Sequence, residues 1–439
     1  MKFKYLPIIA VLFMSTGAFL NLWVDTSNGL DVSTQGIEKL QWMWTAVDLA
    51  VLWFCALNGR WIIRVALQQP WLVAFAGWCA LSVIWSADPA LTFRRSVALI
   101  CTTLFGMLLG MKFETGTLLR LLAWALALAM LGTVVAALLF PSLGVIDSGY
   151  GVAWQGIFNT KNAMARVVGL ALVVFLCLFW QAKRNNLLYA TSILVAVVVI
   201  ASSNSATGAI AVFLTVGLAC YLKYRPRWSV IAVSTAALVI GLAVAVLVSG
   251  NLEGVLAFLR RDSTLSGRTE LWRLSAGFVL QRPLLGAGWD GFWGSADADW
   301  VRNVVGWPAP HAHNGFLDMA LDLGLTGLCL FLLGWADCFR RAIQCSRQPG
   351  RPYHLWPVLF LSYMFFYMFT ESHLVSRHSV FYIVYCALSV SLALAEDRDG
   401  CVRIRDLSNN RRANYGIHSI YPNPIGRTSA RPLGVSRSS

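Results

Sequence analysis

The feature that most constrains this chain is the recurrence of apolar stretches of helix length along most of it. They fall at about 6–24, 43–59, 70–86, 97–111, 117–140, 163–181, 187–201, 206–222, 228–249, 315–336, 354–371 and 378–395. Crossing a bilayer takes roughly 20 apolar residues, and the shorter stretches meet that need only with neighbouring helices covering their ends. A chain that is 57% hydrophobic and 13% charged has too few polar side chains to cover a water-soluble surface. No ten-residue segments alternate polar and apolar, which leaves helices as the way to satisfy the backbone in lipid. The expected fold is all-α, a polytopic membrane protein with about 12 transmembrane helices. The first stretch follows Lys2 and Lys4 and no A-x-A-like cleavage site follows it, so it reads as an uncleaved span.

Basic residues set the orientation. With the N-terminus in the cytoplasm, 23 of the 35 Lys and Arg fall inside, including Lys112, Arg120, Lys223, Arg340 and the arginines of the tail. The positive-inside rule then predicts an N-in, C-in arrangement. Residues 1–249 carry nine spans, 250–314 form one long extracytoplasmic loop, 315–395 carry three spans, and 396–439 are a basic tail. That tail is rich in Arg, Ser, Asn and Pro, a composition that suits disorder and contact with anionic lipid heads. The net charge of +14 is accounted for by this topology, so no nucleic-acid partner is expected. None of the ten cysteines lies in the outer loop and no C-x-x-C occurs, which argues against a disulfide framework or a zinc site.

Ionisable groups at membrane depth are costly and usually face a cavity or a site. Four clusters face outward on this topology: Arg94 with Arg95, Lys161 with Asn162 and Arg166, Arg260 with Arg261 and Arg268, and His311-Ala-His-Asn314. Cations sharing one aqueous compartment suit an anionic, phosphate-bearing ligand, although any single one can instead snorkel to lipid heads. His311 and His313 bring side chains whose protons move near neutral pH. Asn314 is placed as a helix N-cap, and Asp318 and Asp322, four apart on one helix face, are candidates to hold a histidine tautomer. The alternatives are a purely structural cap or a two-histidine metal site, the latter lacking a third ligand at metal spacing.

In the outer loop, a short interfacial helix is expected to start near Gly267, with Glu270 in its first turn and Pro283 shortly beyond its end. Gly286-Ala-Gly288-Trp-Asp-Gly291 fits G-x-G-x-x-G but comes after no strand, so a dinucleotide role is rejected. Asp297-Ala-Asp299 looks like a metal-binding D-x-D but faces away from the cytoplasm, where sugar nucleotides are found.

These strings resemble the O-antigen ligase and polymerase superfamily, and within it the ExoQ-like and Wzy-type exopolysaccharide polymerases. The resemblance lies in Gly156-Ile-Phe-Asn-Thr-Lys-Asn162, Ser202-Ser-Asn-Ser-Ala-Thr-Gly208, Ser266-Gly-Arg-Thr-Glu-Leu-Trp272, Arg282-Pro-Leu-Leu-Gly-Ala-Gly288 and His311-Ala-His-Asn-Gly-Phe-Leu-Asp318. It implies glycosyl transfer without a metal or other cofactor, at the outer face of a bacterial inner membrane. The implied donor is an undecaprenyl-pyrophosphate-linked glycan. For a polymerase the acceptor is another lipid-linked repeat unit; for a ligase it is a lipid A-core sugar. Carried over, His313 is the general base and Arg268 binds the diphosphate, with Lys161, Asn162, Arg94, Arg95, His311, Asn314 and Asp318 as further substrate contacts. A chain-length regulator is a possible partner. Two departures stand out: Asp318 where many relatives carry Glu, and no Arg before Thr207. A lipid-linked oligosaccharide transporter is the rival from another class, disfavoured because the chain shows no internal repeat.

Overall fold

The computed structural model of the protein describes residues 3–18, 38–147, 151–182, 185–224, 268–348, 350 and 353–396. The chain divides into two units, Met1–Leu394, which is the helical bundle, and Ala395–Ser439. In chain order the elements are α1 (Leu6–Met14), α2 (Glu38–Leu57), α3 (Gly59–Leu67), α4 (Pro70–Leu81), α5 (Pro89–Lys112), α6 (Thr115–Leu139) and the single turn α7 (Pro141–Gly144). A hairpin of β1 (Val145–Asp147) and β2 (Val152–Trp154) comes next, then α8 (Lys161–Gln181), α9 (Asn186–Ser202), α10 (Ala206–Tyr224), α11 (Arg268–Gln281) and α12 (Ala296–Val305). The last three are α13 (Gly315–Ser346), α14 (Trp356–Met368) and α15 (Val380–Glu396).

The protein is mainly helical, as expected, with one small antiparallel hairpin in register Ile146↔Ala153 that the sequence pattern does not announce. Among the described residues six helices are long and apolar enough to cross a membrane, or seven if α3 and α4, bent by 103°, are one broken span. Three shorter apolar helices, α9, α14 and α15, pack with them. The expected span at 228–249, the first part of the outer loop with Arg260 and Arg261, and the tail lie outside the described residues. Large exposed apolar side chains, such as Trp53 and Leu57 of α2 and Leu187 and Leu194 of α9, mark the lipid-facing surface of a multi-pass membrane protein.

Helix starts obey their sequence signals. Asp88 accepts from Leu91 N–H ahead of Pro89, and Thr160 accepts from Ala163 N–H at the start of α8. The tightest crossing is between α5 and α15, where Gly106 and Gly110 face Ile383, Cys386 and Ala387. A methyl group at either glycine would strike α15 backbone, the close approach that small residues four apart allow in lipid.

The bundle has two chemically different ends. At one, Lys112 lies over Phe54, Arg120 reaches Tyr353, and Lys223 lies over Trp180. At the other, the start of α8 is tied to Ser372 through Arg166, the start of α5 to Asp290 through Arg95, and the start of α15 to the end of α1 through Val380 N–H and Ser15 C=O.

A break in α13 joins the loop between α11 and α12 to the bundle. At Gly324 the backbone turns out of helical geometry, with φ 67° and ψ −175°. The carbonyls freed by that break are taken up elsewhere: Ala287 N–H donates to Leu321 C=O at 2.9 Å, Gly288 N–H to Asp322 C=O at 2.8 Å, and Trp78 Nε1–H to Leu323 C=O at 3.1 Å. Leu325 N–H returns to Pro283 C=O at 2.7 Å. The Gly286-Ala-Gly288 string is thus a docking strip for main chain. Gly286 has φ 67°, and a Cβ there would meet Asp322 and Gly324 backbone. Gly324→Ala should therefore cost at least about 1–3 kcal/mol in backbone strain, read as a lowered midpoint of thermal unfolding in detergent. Gly217→Ala, in the open inside α10, serves as the control that should not lower the midpoint, since alanine favours the helix over glycine.

Candidate active site

The polar end of the bundle gathers the residues singled out in the sequence, and adds others. α11 begins with Arg268, and Trp272 one turn on donates its indole N–H to Ala312 C=O at 2.7 Å, which holds the histidine loop against this helix. Asn314 caps α13, accepting from Phe316 and Leu317 N–H at 3.1 Å each. His313, just before it, has φ 51°, a left-handed conformation that polar residues such as His adopt more readily than most.

Arg268 and His313 converge on a carboxylate that the sequence motifs do not single out. Glu371, in the link between α14 and α15, lies 3.8 Å from Arg268 Nη2 and 3.9 Å from His313 Nδ1. Arg268 Nη2 is itself 3.5 Å from His313 Nδ1, and its Nη1 donates to Thr370 C=O at 3.0 Å. Glu371 is 7% exposed. Burial alone would raise its pKa, but the His313 hydrogen bond and the charges of His313, Arg166 and Arg268 outweigh that, and the net direction is below the ordinary carboxylate value. The carboxylate therefore stays ionised, a fixed negative charge beside an imidazole and a guanidinium.

This corrects the expectation for Asp318 and Asp322, whose hydrogen bonds among the described residues go to groups other than a histidine ring. Asp318 accepts from Trp293 Nε1–H at 2.7 Å, from Ala312 N–H at 2.9 Å and from the Ser372 hydroxyl, so it ties the histidine loop to the segment that carries Glu371. Asp322 accepts from Phe292 N–H at 3.1 Å and holds the loop after α11. The two do share a helix face as their spacing implies; what they face is main chain, hydroxyl and indole.

His311 accepts His313 N–H on its own Nδ1 at 3.1 Å, which places its ring proton on Nε2. Burial first, then the charges of His373, His313, Arg166 and Arg268, push its pKa well below the usual 6.5, so it is neutral at physiological pH. Its ring lies 4.1 Å from His313 and 4.7 Å from His373. The third metal ligand that the sequence spacing lacks does exist in space: donor atoms of His311, His313 and Glu371 lie within 4.8 Å of one another. A divalent ion there would share both its carboxylate and His313 Nδ1 with Arg268, a like charge at contact distance.

The remaining expected residues divide. Arg95 pairs through Nε with Asp290 at 3.2 Å, whereas Arg94, next to it on α5, is exposed. Asn162 accepts from the Ser205 hydroxyl at 3.0 Å and links α8 to α10, and Lys161 opens α8 but lines neither of the two cavities at this end of the bundle. Arg166, grouped with them in the sequence, reaches further in and donates to Ser372 C=O at 3.0 Å. Asp299 pairs with Arg302 at 2.7 Å on α12, an ordinary i,i+3 contact, and the D-x-D string sits in the first turn behind a Ser295 cap. A pocket of about 40 Å³ is lined by His311, Asp318, Asp322, Ser372 and His373, and a larger cavity of about 260 Å³ adjoins it at Asp290 and His373.

Residues 190–332 match the O-antigen ligase family. Arg268, His311 and His313 fall within those residues; Glu371 and Arg166 fall outside them. The chain is also similar to the exopolysaccharide production protein ExoQ of Rhizobium meliloti (strain 1021), 26% identical over 298 residues, covering 64% of this chain and 67% of the relative. The resemblance to the ExoQ-like, Wzy-type superfamily is thereby borne out. A solved structure from work on the structural coordination of polymerization and crosslinking by a peptidoglycan synthase complex aligns at TM-score 0.40 and 19% identity, covering 74% of this chain and 97% of that one. That likeness is too loose to bear on the fold.

Glu371 gives this site a pH signature. Its folded pKa lies below its unfolded value of about 4.3, so the stability it contributes is fully present above that value and is lost as pH falls through the folded one. Thermal unfolding of the wild type, recorded from about pH 5 to about pH 3, should drop more steeply than that of Glu371→Gln. At neutral pH the same variant should be destabilised, since it removes the negative charge 3.8 Å from Arg268 Nη2. Parallel curves for the two proteins would remove Glu371 from the charge balance of the site.

Proposed function

We propose that the protein is a polysaccharide polymerase that transfers an undecaprenyl-pyrophosphate-linked glycan onto a sugar hydroxyl of another lipid-linked repeat unit. The observation that carries this reading is the convergence of Arg268 and His313 on Glu371 at the polar end of the bundle. The likeness to ExoQ supports a polysaccharide product, and the basic opposite end supports an outward-facing site in a bacterial inner membrane.

In this mechanism Arg268 turns from His313 Nδ1, which it approaches at 3.5 Å, toward the leaving diphosphate. The ionised Glu371, 3.9 Å from Nδ1, then favours the ring proton on that nitrogen and leaves Nε2 as the base. His313 Nε2 takes the proton of the acceptor hydroxyl as that oxygen forms a bond to the anomeric carbon of the donor glycan. The bond from that carbon to the diphosphate breaks, and the diphosphate leaves with the electron pair. Arg268 offers its guanidinium to the leaving diphosphate, whose charge needs cations more than it needs a general acid. Glu371 then stabilises the imidazolium. No metal enters this scheme, because Arg268 occupies the electrostatic position that an ion would take beside Glu371 and His313. Lys161, Arg94 and membrane lipid contribute no named step.

The match to the O-antigen ligase family favours a second reading, in which the acceptor is a lipid A-core sugar and the same residues keep the same roles. The size distribution of lipid-linked and surface glycan in a deletion strain, with and without the restored His313→Ala or Arg268→Ala protein, distinguishes them. A polymerase predicts accumulation of single repeat units, with polymer reduced at least ~100-fold by either substitution at unchanged membrane abundance. Long lipid-linked polymer lacking only attachment to lipid A-core would establish the ligase. Normal polymer from either variant would remove that residue from the mechanism.

A further inference from the structure

The larger cavity has no part in the chemistry above. Its volume of about 260 Å³ far exceeds the roughly 10–15 Å³ that holds one water, and its walls are of two kinds. Its lining brings together Arg166, Arg377, His373 and His378, with Asp290 as the single carboxylate among the described lining residues, and the apolar Leu40, Trp44, Phe158 and Phe381, with Arg166 over the Phe381 ring and Trp44 stacked on His378. Asp290 pairs through one oxygen with Arg377 Nη1 of the same lining at 2.5 Å and with Arg95 Nε at 3.2 Å, so one carboxylate is shared by two guanidinium groups. Arg166 is held by Ser372 C=O through Nη1, while its buried Nε has no hydrogen-bond partner among the described residues.

The lining contributed by His378 and Trp44 is fastened in place. His378 Nε2 lies 3.1 Å from Asp48 of α2, and Trp44, one turn earlier on that helix, stacks on the His378 ring at 4.0 Å. The cavity also adjoins the proposed base, since His373 lines it and packs on His311, which packs on His313. Guanidinium groups in one cavity with aromatic and aliphatic side chains suit a diphosphate that carries an apolar tail.

We propose that this cavity is a second diphosphate site, which holds the intact diphosphate of the lipid-linked acceptor while Arg268 meets that of the donor. The assignment rests on the glycosyl-transfer reading above. Two such sites, one on each side of the histidine series, would bring the acceptor sugar to His313 with its own diphosphate kept away from the reacting carbon.

Calorimetric titration of the purified full-length protein in detergent tests this, with farnesyl diphosphate and inorganic pyrophosphate as probes. The wild type should take up two equivalents of farnesyl diphosphate. Arg268→Gln should lose one, and the Arg166→Gln, Arg377→Gln double variant the other. Asn159→Asp, which adds a negative charge to the cavity wall and breaks no ion pair, should weaken the second equivalent at least tenfold even if the double variant fails to fold. A single equivalent lost only in Arg268→Gln would overturn the second site and leave the transferase reading standing. Two equivalents, neither dependent on Arg268, would sink the donor role and the acceptor assignment with it. Equal affinity for pyrophosphate would show that the cavity reads the anion alone and overturn the lipid assignment.

Discussion

Backbone polar groups at membrane depth must be paired, and the joint at Gly324 is built around that requirement. The carbonyls released where α13 breaks are satisfied by N–H groups of the loop after α11, so the loop is held by main-chain bonds of 2.8–2.9 Å. Everything that the loop carries is then positioned relative to the bundle. Trp289 and Asp290 come within a few residues, Asp290 engages Arg95 and Arg377, and Trp293 engages Asp318. Asp318 in turn fastens the histidine loop to Ser372, beside Glu371. The geometry of the charged centre descends from a backbone repair.

Fold class was legible in the sequence because lipid leaves few choices: apolar segments of helix length can only be helices or buried core. Most expected spans differ from the observed helices by a few residues at each end, and the short helix beginning at Arg268 matches the expected one. The break in α13 was not legible. Gly324 sits in a long apolar run containing several glycines, and its distinguishing feature is a partner segment some 40 residues earlier in the chain. The number of spans expected exceeds the number that the described helices supply, in part because one expected span falls outside them.

The site was legible where a residue's role is local. Asn314 before Gly315-Phe-Leu-Asp is an N-cap by position, and His313 and Arg268 stand at helix starts on one side of the membrane. Glu371 escapes a sequence argument that tracks cations and histidines, the residues suited to an anionic ligand, and that looks for the orienting carboxylate at helical spacing. The clue available was its setting: Thr370-Glu-Ser-His373 lies in a link of about ten residues between two apolar helices, with Arg377 and His378 close behind. Four ionisable groups in so short a link are hard to accommodate beside lipid unless they face one another.

The split of the site across the chain has a consequence for how such proteins diversify. The segment at 190–332 that matches the O-antigen ligase family includes Arg268 and His313, whereas the carboxylate beside them comes from near the C-terminal end of the bundle. A recombinant that exchanged only that segment would import the guanidinium and the imidazole but keep the host's counter-ion and the host's cavity wall. In the proposed mechanism the reacting groups and the pocket for the second substrate can therefore be inherited separately, so new acceptor preference is reachable without touching Arg268 or His313.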